Sequence, residues 1–563
     1  MWAIVVGLLV YIVAPVVTVA VFKKLFNYSS IFVSLMGLAT GPLLVALIQY
    51  CLFAVLPGKD PCVYPLIISL VFLCLGVWGR KFVWPKKIIW RWPYFNIGSV
   101  YVGVVIMFVF VRMIMYPPIW GDVYQYIQQG YVYSQDLGLW RTNTGIPFTA
   151  DSTHYVINPA IRPGLPMFYS LFFLVAPPTP TALILTHFVY LYYFVLLLFT
   201  VDYGGKLLGL KRSKRIWPVV FLISSFYLLR FTIFGAKEII LMELALLSLY
   251  ALNELSKKTK IEWQYIGLMG MTMGLGSFLN FSGTLIALIM GFLFLIWVRY
   301  PLKLRLWATT TIISLTLIFG GFEPWNGVVN FIFSPTPLAQ GTKTVDVVKL
   351  KQAELNNYDL KTNLDVLFRG KLQAFTQPQF FGFVYIIWLI ILIVAWRKKQ
   401  IFNHLEKLLL AYIGIYFLII MDPFSLNPHP YAYVLAISPK YSLMLLPMLA
   451  VTMAGRPETV LYIQDKIPRN SIYYLGILIP LLFPGVRSLF VEPLMQIIKE
   501  LMPLTNDRAY YLSLLNNLMV GTGVISLFMV ITAGHWQRHY AKLAIIGLLI
   551  LPTLFLLYSN FLR

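Results

Sequence analysis

Long apolar runs broken by short basic clusters dominate the pattern of this chain. Ile31 to Leu56, Val100 to Met115, Leu409 to Met421 and Leu543 to Tyr558 are hydrophobic almost throughout. At ~1.5 Å per residue, each approaches the length that crosses ~30 Å of hydrocarbon. Several carry no charge, whereas a water-soluble core helix would keep a polar stripe. The pattern predicts an all-α polytopic membrane protein.

The breaks between the runs set the expected topology. Basic clusters stand at Lys23-Lys24, Arg80 to Arg91, Lys211 to Arg215, Lys257 to Lys260, Arg299 to Arg305, Arg397 to Lys399, Arg456 to Arg469 and Arg538 to Lys542. Placed on the cytoplasmic face, they predict about 16 spans with both termini outside. The first helix starts at Met1 without a basic leader or a small-residue cleavage site, and reads as a retained span. Outer loops are expected over 116–181, 323–380 and 422–440, with an amphipathic interfacial segment over 487–517. The chain divides accordingly into accessory helices (1–97), a transmembrane core with the outer loops (98–455) and C-terminal helices (456–563).

Composition sharpens this and removes other classes. Of 563 residues, 59% are hydrophobic and 12% charged, roughly half the charged share of a soluble domain. A net charge of +23 would suggest nucleic acid in a soluble protein. Here the cations sit in short loops beside membrane headgroups, and no soluble basic domain exists to bind nucleic acid. Cys51, Cys62 and Cys74 have neither metal spacing nor a disulfide framework. There is no phosphate-cradling glycine loop, His/Cys cluster or nucleophile elbow, so no cofactor and no metal is indicated.

Candidate chemistry lies in the outer loops. Asp122 stands just beyond the outer end of the fourth span and either caps the helix that follows or accepts a proton. A Tyr-rich helical stretch follows, in which Tyr124, Tyr126, Tyr131 and Tyr133 either stack on a sugar or pack on the membrane surface. Asp136, Arg141, Asp151 and His154 come next, then Asn158 to Pro166 with Arg162-Pro163-Gly164. That segment leads into an amphipathic apolar run, Met167 to Val175.

This ordered set resembles the GT-C superfamily of membrane glycosyltransferases. In that superfamily the first outer loop begins with an acidic residue after a span. It then holds two helices along the membrane, the second introduced by a proline-bearing segment. Asp122 matches the acidic position and Asn158 to Pro166 the proline-bearing segment. Three further stretches agree with the layout: Gly235 to Glu238 at the start of a span, Gly274 to Asn280 as a short outer turn, and Ser438 to Pro447 leading into a late helix. The resemblance runs from about residue 98 to 455. Three spans precede the one that resembles the family's first helix. Val123 stands where many members carry a second acid, which points away from a metal-dependent form.

The resemblance implies a GT-C-like bundle with interfacial helices in the outer loops, and a sugar donor carried on polyprenyl phosphate. Asp122 would be the general base on an acceptor hydroxyl. Arg162, Lys237, Arg369, His429 and Lys440 would hold the departing phosphate, and Tyr124, Asp151, His154 and Glu238 would contact substrate. Plainer readings stand beside four of these: Arg162 and Lys440 snorkel to headgroups, Lys237 pairs with Glu238, and His429 is a loop histidine with no task. The acceptor would be a lipid, glycan or protein, and the setting a bacterial cytoplasmic membrane with the site facing the periplasm. Two alternatives stand beside it. A polysaccharide polymerase or ligase would lean on Arg369 or His429. A transporter or flippase would show charges in mid-span, where Arg112, Lys237 and Glu238 are the candidates.

Overall fold

In lipid, a helix satisfies its own backbone amides, so an apolar chain of this length is expected to fold as a helical bundle. The computed structural model describes residues 2–26, 31–83, 97–115, 122–137, 162–175, 179–211, 215–223, 225–321, 384–421 and 442–454. All regular structure among them is helical. The expected C-terminal helices, the 487–517 segment and most of the three long loops lie outside these residues.

The first span, α1 (Trp2–Leu25), is 24 residues long. It widens into a π turn over Leu9–Val13, beside Pro15, which has no amide to donate to the preceding turn. It crosses α2 (Ile31–Val55) at Gly37 and Gly41, four residues apart. A Cβ at either glycine would fall 2.6 Å from the backbone of Val19 or Pro15. Small residues at this spacing let two helices approach where lipid gives no hydrophobic push. The third helix is α3 (Val63–Val83), whose Leu66, Leu70, Leu73 and Val77 face outward as a lipid-contacting helix requires.

After α4 (Ile97–Met115) come two shorter helices, α5 (Asp122–Asp136) and α6 (Gly164–Phe173). The bundle continues with α7 (Pro180–Leu207), the broken pair α8 (Ile216–Ile223) and α9 (Phe226–Phe234), then α10 (Glu238–Ser256). Next are α11 (Trp263–Leu279), α12 (Phe281–Trp297) and α13 (Leu302–Phe319). Last among the described residues are α14 (Val384–Arg397), α15 (His404–Met421) and, after a 3-10 turn at Leu443–Leu445, α16 (Leu446–Ala454).

The leading helices are built into the same core. Trp2 donates its indole N–H to Leu171 O at 3.2 Å, and Tyr11 its hydroxyl to Leu185 O at 2.6 Å. Tyr192 and Tyr193 of α7 donate to Leu38 and Ala39 carbonyls of α2. Hydroxyls within the bundle turn back on their own helices, as Thr18 does to Ala14 O and Thr40 to Met36 O, so few polar groups are left facing lipid.

Contacts sort the helix ends into two groups. At one end, Lys24 donates to Trp78 O at 2.7 Å and lies over the Trp78 ring, and Gln264 donates to Leu25 O. Tyr300 donates to Leu255 O, while Ser256 and Trp297 both bond His404. Lys257 to Lys260, Arg299 and Arg305 share this neighbourhood, so these basic clusters gather at one end. At the other end, Gly58 N donates to Leu137 O at 2.9 Å and Tyr50 packs edge-on against Phe278. The ends thus alternate along the chain as the charge pattern predicts. Among the described residues, five helices are long and apolar enough to cross a membrane: α1, α2, α7, α10 and α13. The chain is an integral membrane protein.

One expectation is corrected. The run from Met167 was expected to be amphipathic. Every residue of α6 is instead buried. Its polar side chains, Tyr169 and Ser170, are hydrogen-bonded inside the protein, so no face of the helix needs water.

Candidate functional site

The end opposite the basic clusters collects the loop helices and the turns between spans. Helix α5 begins at Asp122, the position singled out from sequence; its backbone is described and its side chain is not. Val123, Tyr126, Ile127, Gln129, Gly130, Val132, Tyr133 and Ser134 of α5 are buried, while Gln125 and Gln135 are exposed. The helix is thus sunk into the protein over more than one face. The helix ends at Leu137, which takes a left-handed φ of 52°. Leu137 O accepts from Gly58 N at 2.9 Å and from the Tyr64 hydroxyl at 3.4 Å.

Helix α6 lies beneath α5. A Cβ on Gly130 would fall 2.8 Å from Tyr169 Cβ and 2.9 Å from Pro166 O. The start of α6 rests in turn on the α11–α12 turn: a Cβ on Gly164 would sit 2.8 Å from Phe278 O. That turn has the expected form, for Asn280 ends α11 and caps α12 by accepting from Ser282 N at 2.9 Å. Arg162 stands half-buried immediately before α6.

The third component is the turn between α9 and α10. Gly235 ends α9 with φ +83°, and its missing Cβ would meet Tyr190 at 2.6 Å, His187 at 2.7 Å and Val123 at 2.8 Å. Only glycine suits both the dihedral and the space. Lys237 donates to the Tyr126 hydroxyl at 2.6 Å, with its ammonium 5.3 Å from the ring centroid. Glu238 opens α10 with 1% exposure, a favoured place for a carboxylate because the first helical turn presents free amides.

Behind this surface runs a buried polar seam. His187 Nε2 donates to Ile233 O at 2.6 Å, which assigns its proton to Nε2. The Tyr169 and Tyr190 hydroxyls share a 2.7 Å hydrogen bond that ties α6 to α7. Burial holds the Tyr169 phenol well above its usual range, so it stays neutral. Tyr126 and Glu238 are both within electrostatic reach of Tyr190.

The structure therefore brings the start of α5, Tyr126, Lys237, Glu238 and the head of α6 to one end of the bundle. Tyr124 is half-buried on α5. Asp151, His154, Arg369, His429 and Lys440 lie outside the described residues. Among the described residues no group of three or more His, Cys, Asp or Glu could hold a metal. Sequence reasoning missed His187, Tyr169 and Tyr190. The available signal was a lone histidine three residues before a tyrosine near the start of an apolar span.

It also missed Glu243, which is fully buried within α10. Thr200 of α7 donates to Glu243 Oε1 at 2.6 Å, and Oε2 meets no hydrogen-bond partner among the described residues. An ionisable group at that depth is costly, and marks a functional position more often than an idle one.

No protein-family model matches the chain, and no curated protein matches it. Solved structures similar to it include the Archaeoglobus fulgidus oligosaccharyltransferase in its apo form. The match has a TM-score of 0.41 and 13% identity over 78% of this chain and 56% of that one. The same oligosaccharyltransferase, tethered through a disulfide to an acceptor peptide containing the NVT sequon, matches with a TM-score of 0.37. Identity is again 13%, over 77% of this chain and 55% of that one. This chain thus spans a little over half the length of each solved chain. At TM-scores this low, neither match says what this chain does.

Proposed function

We propose that the chain is a GT-C-type membrane glycosyltransferase that moves a sugar from a polyprenyl-phosphate donor to a hydroxyl of a lipid, glycan or protein acceptor. The observation that carries this reading is the seat of α5. The helix headed by Asp122 packs on the helix introduced by Arg162-Pro163, and both rest on the turns at one end of a membrane bundle. Asp122 is the general base. The acceptor atom loses its proton to Asp122 and bonds to the anomeric carbon. The bond from that carbon to the donor phosphate breaks, and the electron pair leaves with the polyprenyl phosphate. Arg162, with Arg369, His429 and Lys440, supplies positive charge for that leaving group. The site faces away from the basic end, which supports an extracytoplasmic position, the periplasm in a bacterial cytoplasmic membrane.

The test is transfer from a panel of radiolabelled polyprenyl-phosphate sugars into membrane extract by purified protein. Wild type should transfer from at least one donor, and Asp122→Asn should lose transfer by about 100-fold or more while unfolding at the same temperature. Full activity in Asp122→Asn would remove Asp122 from the mechanism.

Glu243 favours a second reading, transport of a lipid-linked sugar, because a buried mid-helix carboxyl is what a carrier would use. Under that reading Glu243→Gln would abolish uptake into vesicles and Asp122→Asn would not.

A further inference from the structure

We propose that Lys237 is a positioning residue: it locks the Asp122-bearing helix in register and does not hold the donor phosphate. This rests on the reading of Asp122 as the base. Helix α5 has 15 residues and lies in a loop, so its place depends on what it is seated upon and little on its own propensity. Its first turn, which carries Asp122, would fray first.

Two contacts flank that turn, and both come from one three-residue segment. Val123, beside Asp122, fits where Gly235 lacks a side chain. Tyr126, four residues on and so on the same helical face as Asp122, receives the Lys237 ammonium at 2.6 Å. Tyr126 is 3% exposed, so this bond is sheltered from water.

The segment is itself fixed. Gly235 N and Ala236 N both donate to Phe231 O, at 3.0 and 2.8 Å, and His187 holds the preceding carbonyl at Ile233. Glu238, next in sequence, already places a carboxylate at the first turn of α10. A phosphate at Lys237 would therefore face that acid. The ammonium instead reaches across 111 residues of sequence to the phenol of α5.

The experiment compares Lys237→Met, Tyr126→Phe and the double variant. Positioning predicts that each single change lowers kcat by about 10- to 100-fold, with donor KM within about threefold. The double variant should be no worse than the poorer single one, because one bond is lost in all three. Hydrogen exchange at the amides of 122–136 should quicken in both single variants. Tyr126→Phe removes only an oxygen atom, so it remains informative if Lys237→Met folds poorly. Lys237→Met that raises donor KM more than about tenfold, with Tyr126→Phe silent, would show phosphate binding and overturn the proposal. Unchanged exchange over 122–136 in Lys237→Met would overturn it too. If wild type transfers no sugar from any donor, the catalytic reading fails separately, and the exchange measurement still decides whether Lys237 seats the helix.

Discussion

Gly235 shows how one residue governs the site's geometry. It reverses the chain between α9 and α10 and leaves room for three side chains, among them the neighbour of Asp122. Gly58 makes a useful contrast, since it also has a positive φ, +69°, but nothing lies within 4 Å of its missing Cβ. Gly58→Ala should cost only the strain of a left-handed alanine, about 1–2 kcal/mol. Gly235→Ala adds overpacking to that strain and should cost about 2–4 kcal/mol. It should also displace α5 and lower transfer, whereas Gly58→Ala leaves transfer intact. Thermal unfolding in detergent, paired with the transfer assay, checks both. Equal losses in the two variants would mean that the contacts around Gly235 are not tight. None of this was legible in sequence. Gly235 could be placed at the start of a span, but its three neighbours lie 45 or more residues away or in another helix, and no local pattern names them.

At the scale of elements, the apolar runs were legible because lipid imposes one requirement on every span. The Tyr-rich stretch after Asp122 was legible as a helix, and α5 covers it. Helix α6 was misread as amphipathic, because Tyr169 and Ser170 look like a polar edge. In the fold Tyr169 bonds Tyr190, and Ser170 bonds Met167 O on its own helix, so both are satisfied while buried. Glu243 was hidden in the opposite way, as one carboxyl averaged into a long apolar run. Its link to Thr200 is a polar tie between α10 and α7, beside the bond from the Tyr250 hydroxyl to Thr200 O, and no ion pair among the described residues reaches it. Burying a carboxylate without a cation costs far more than burying a neutral group. Glu243→Gln should therefore change stability by less than about 1 kcal/mol, since the amide keeps the bond to Thr200. Thr200→Val strips that bond from a buried acid and should cost about 1–3 kcal/mol. A large loss in Glu243→Gln, about 3–5 kcal/mol, would instead reveal an ionised carboxylate with a buried partner.

At the scale of the whole molecule, the bundle has two chemically distinct ends, and the functional reading depends on which faces which compartment. Lys258 marks the basic end, where it pairs with Glu262. Cys62 marks the other, exposed in the short connection before α3 and close to the loop that meets Leu137. Basic loops stay cytoplasmic because moving them across the membrane opposes the potential. Cys62 should accordingly react with a membrane-impermeant maleimide on intact bacterial cells, in a background where Cys51 and Cys74 are serine. A Lys258→Cys variant of a cysteine-free chain should react only after permeabilisation. Labelling of both from the same side would break the two-ended bundle. Reversed labelling would leave the fold standing but turn Asp122 toward the cytosol. That outcome would overturn the proposal of an outward-facing site. Outward labelling is thus what the proposed lipid-borne donor requires. Polyprenyl chains stay in the bilayer, so under that proposal the acceptor would meet the donor beside α5, at the membrane edge of the bundle.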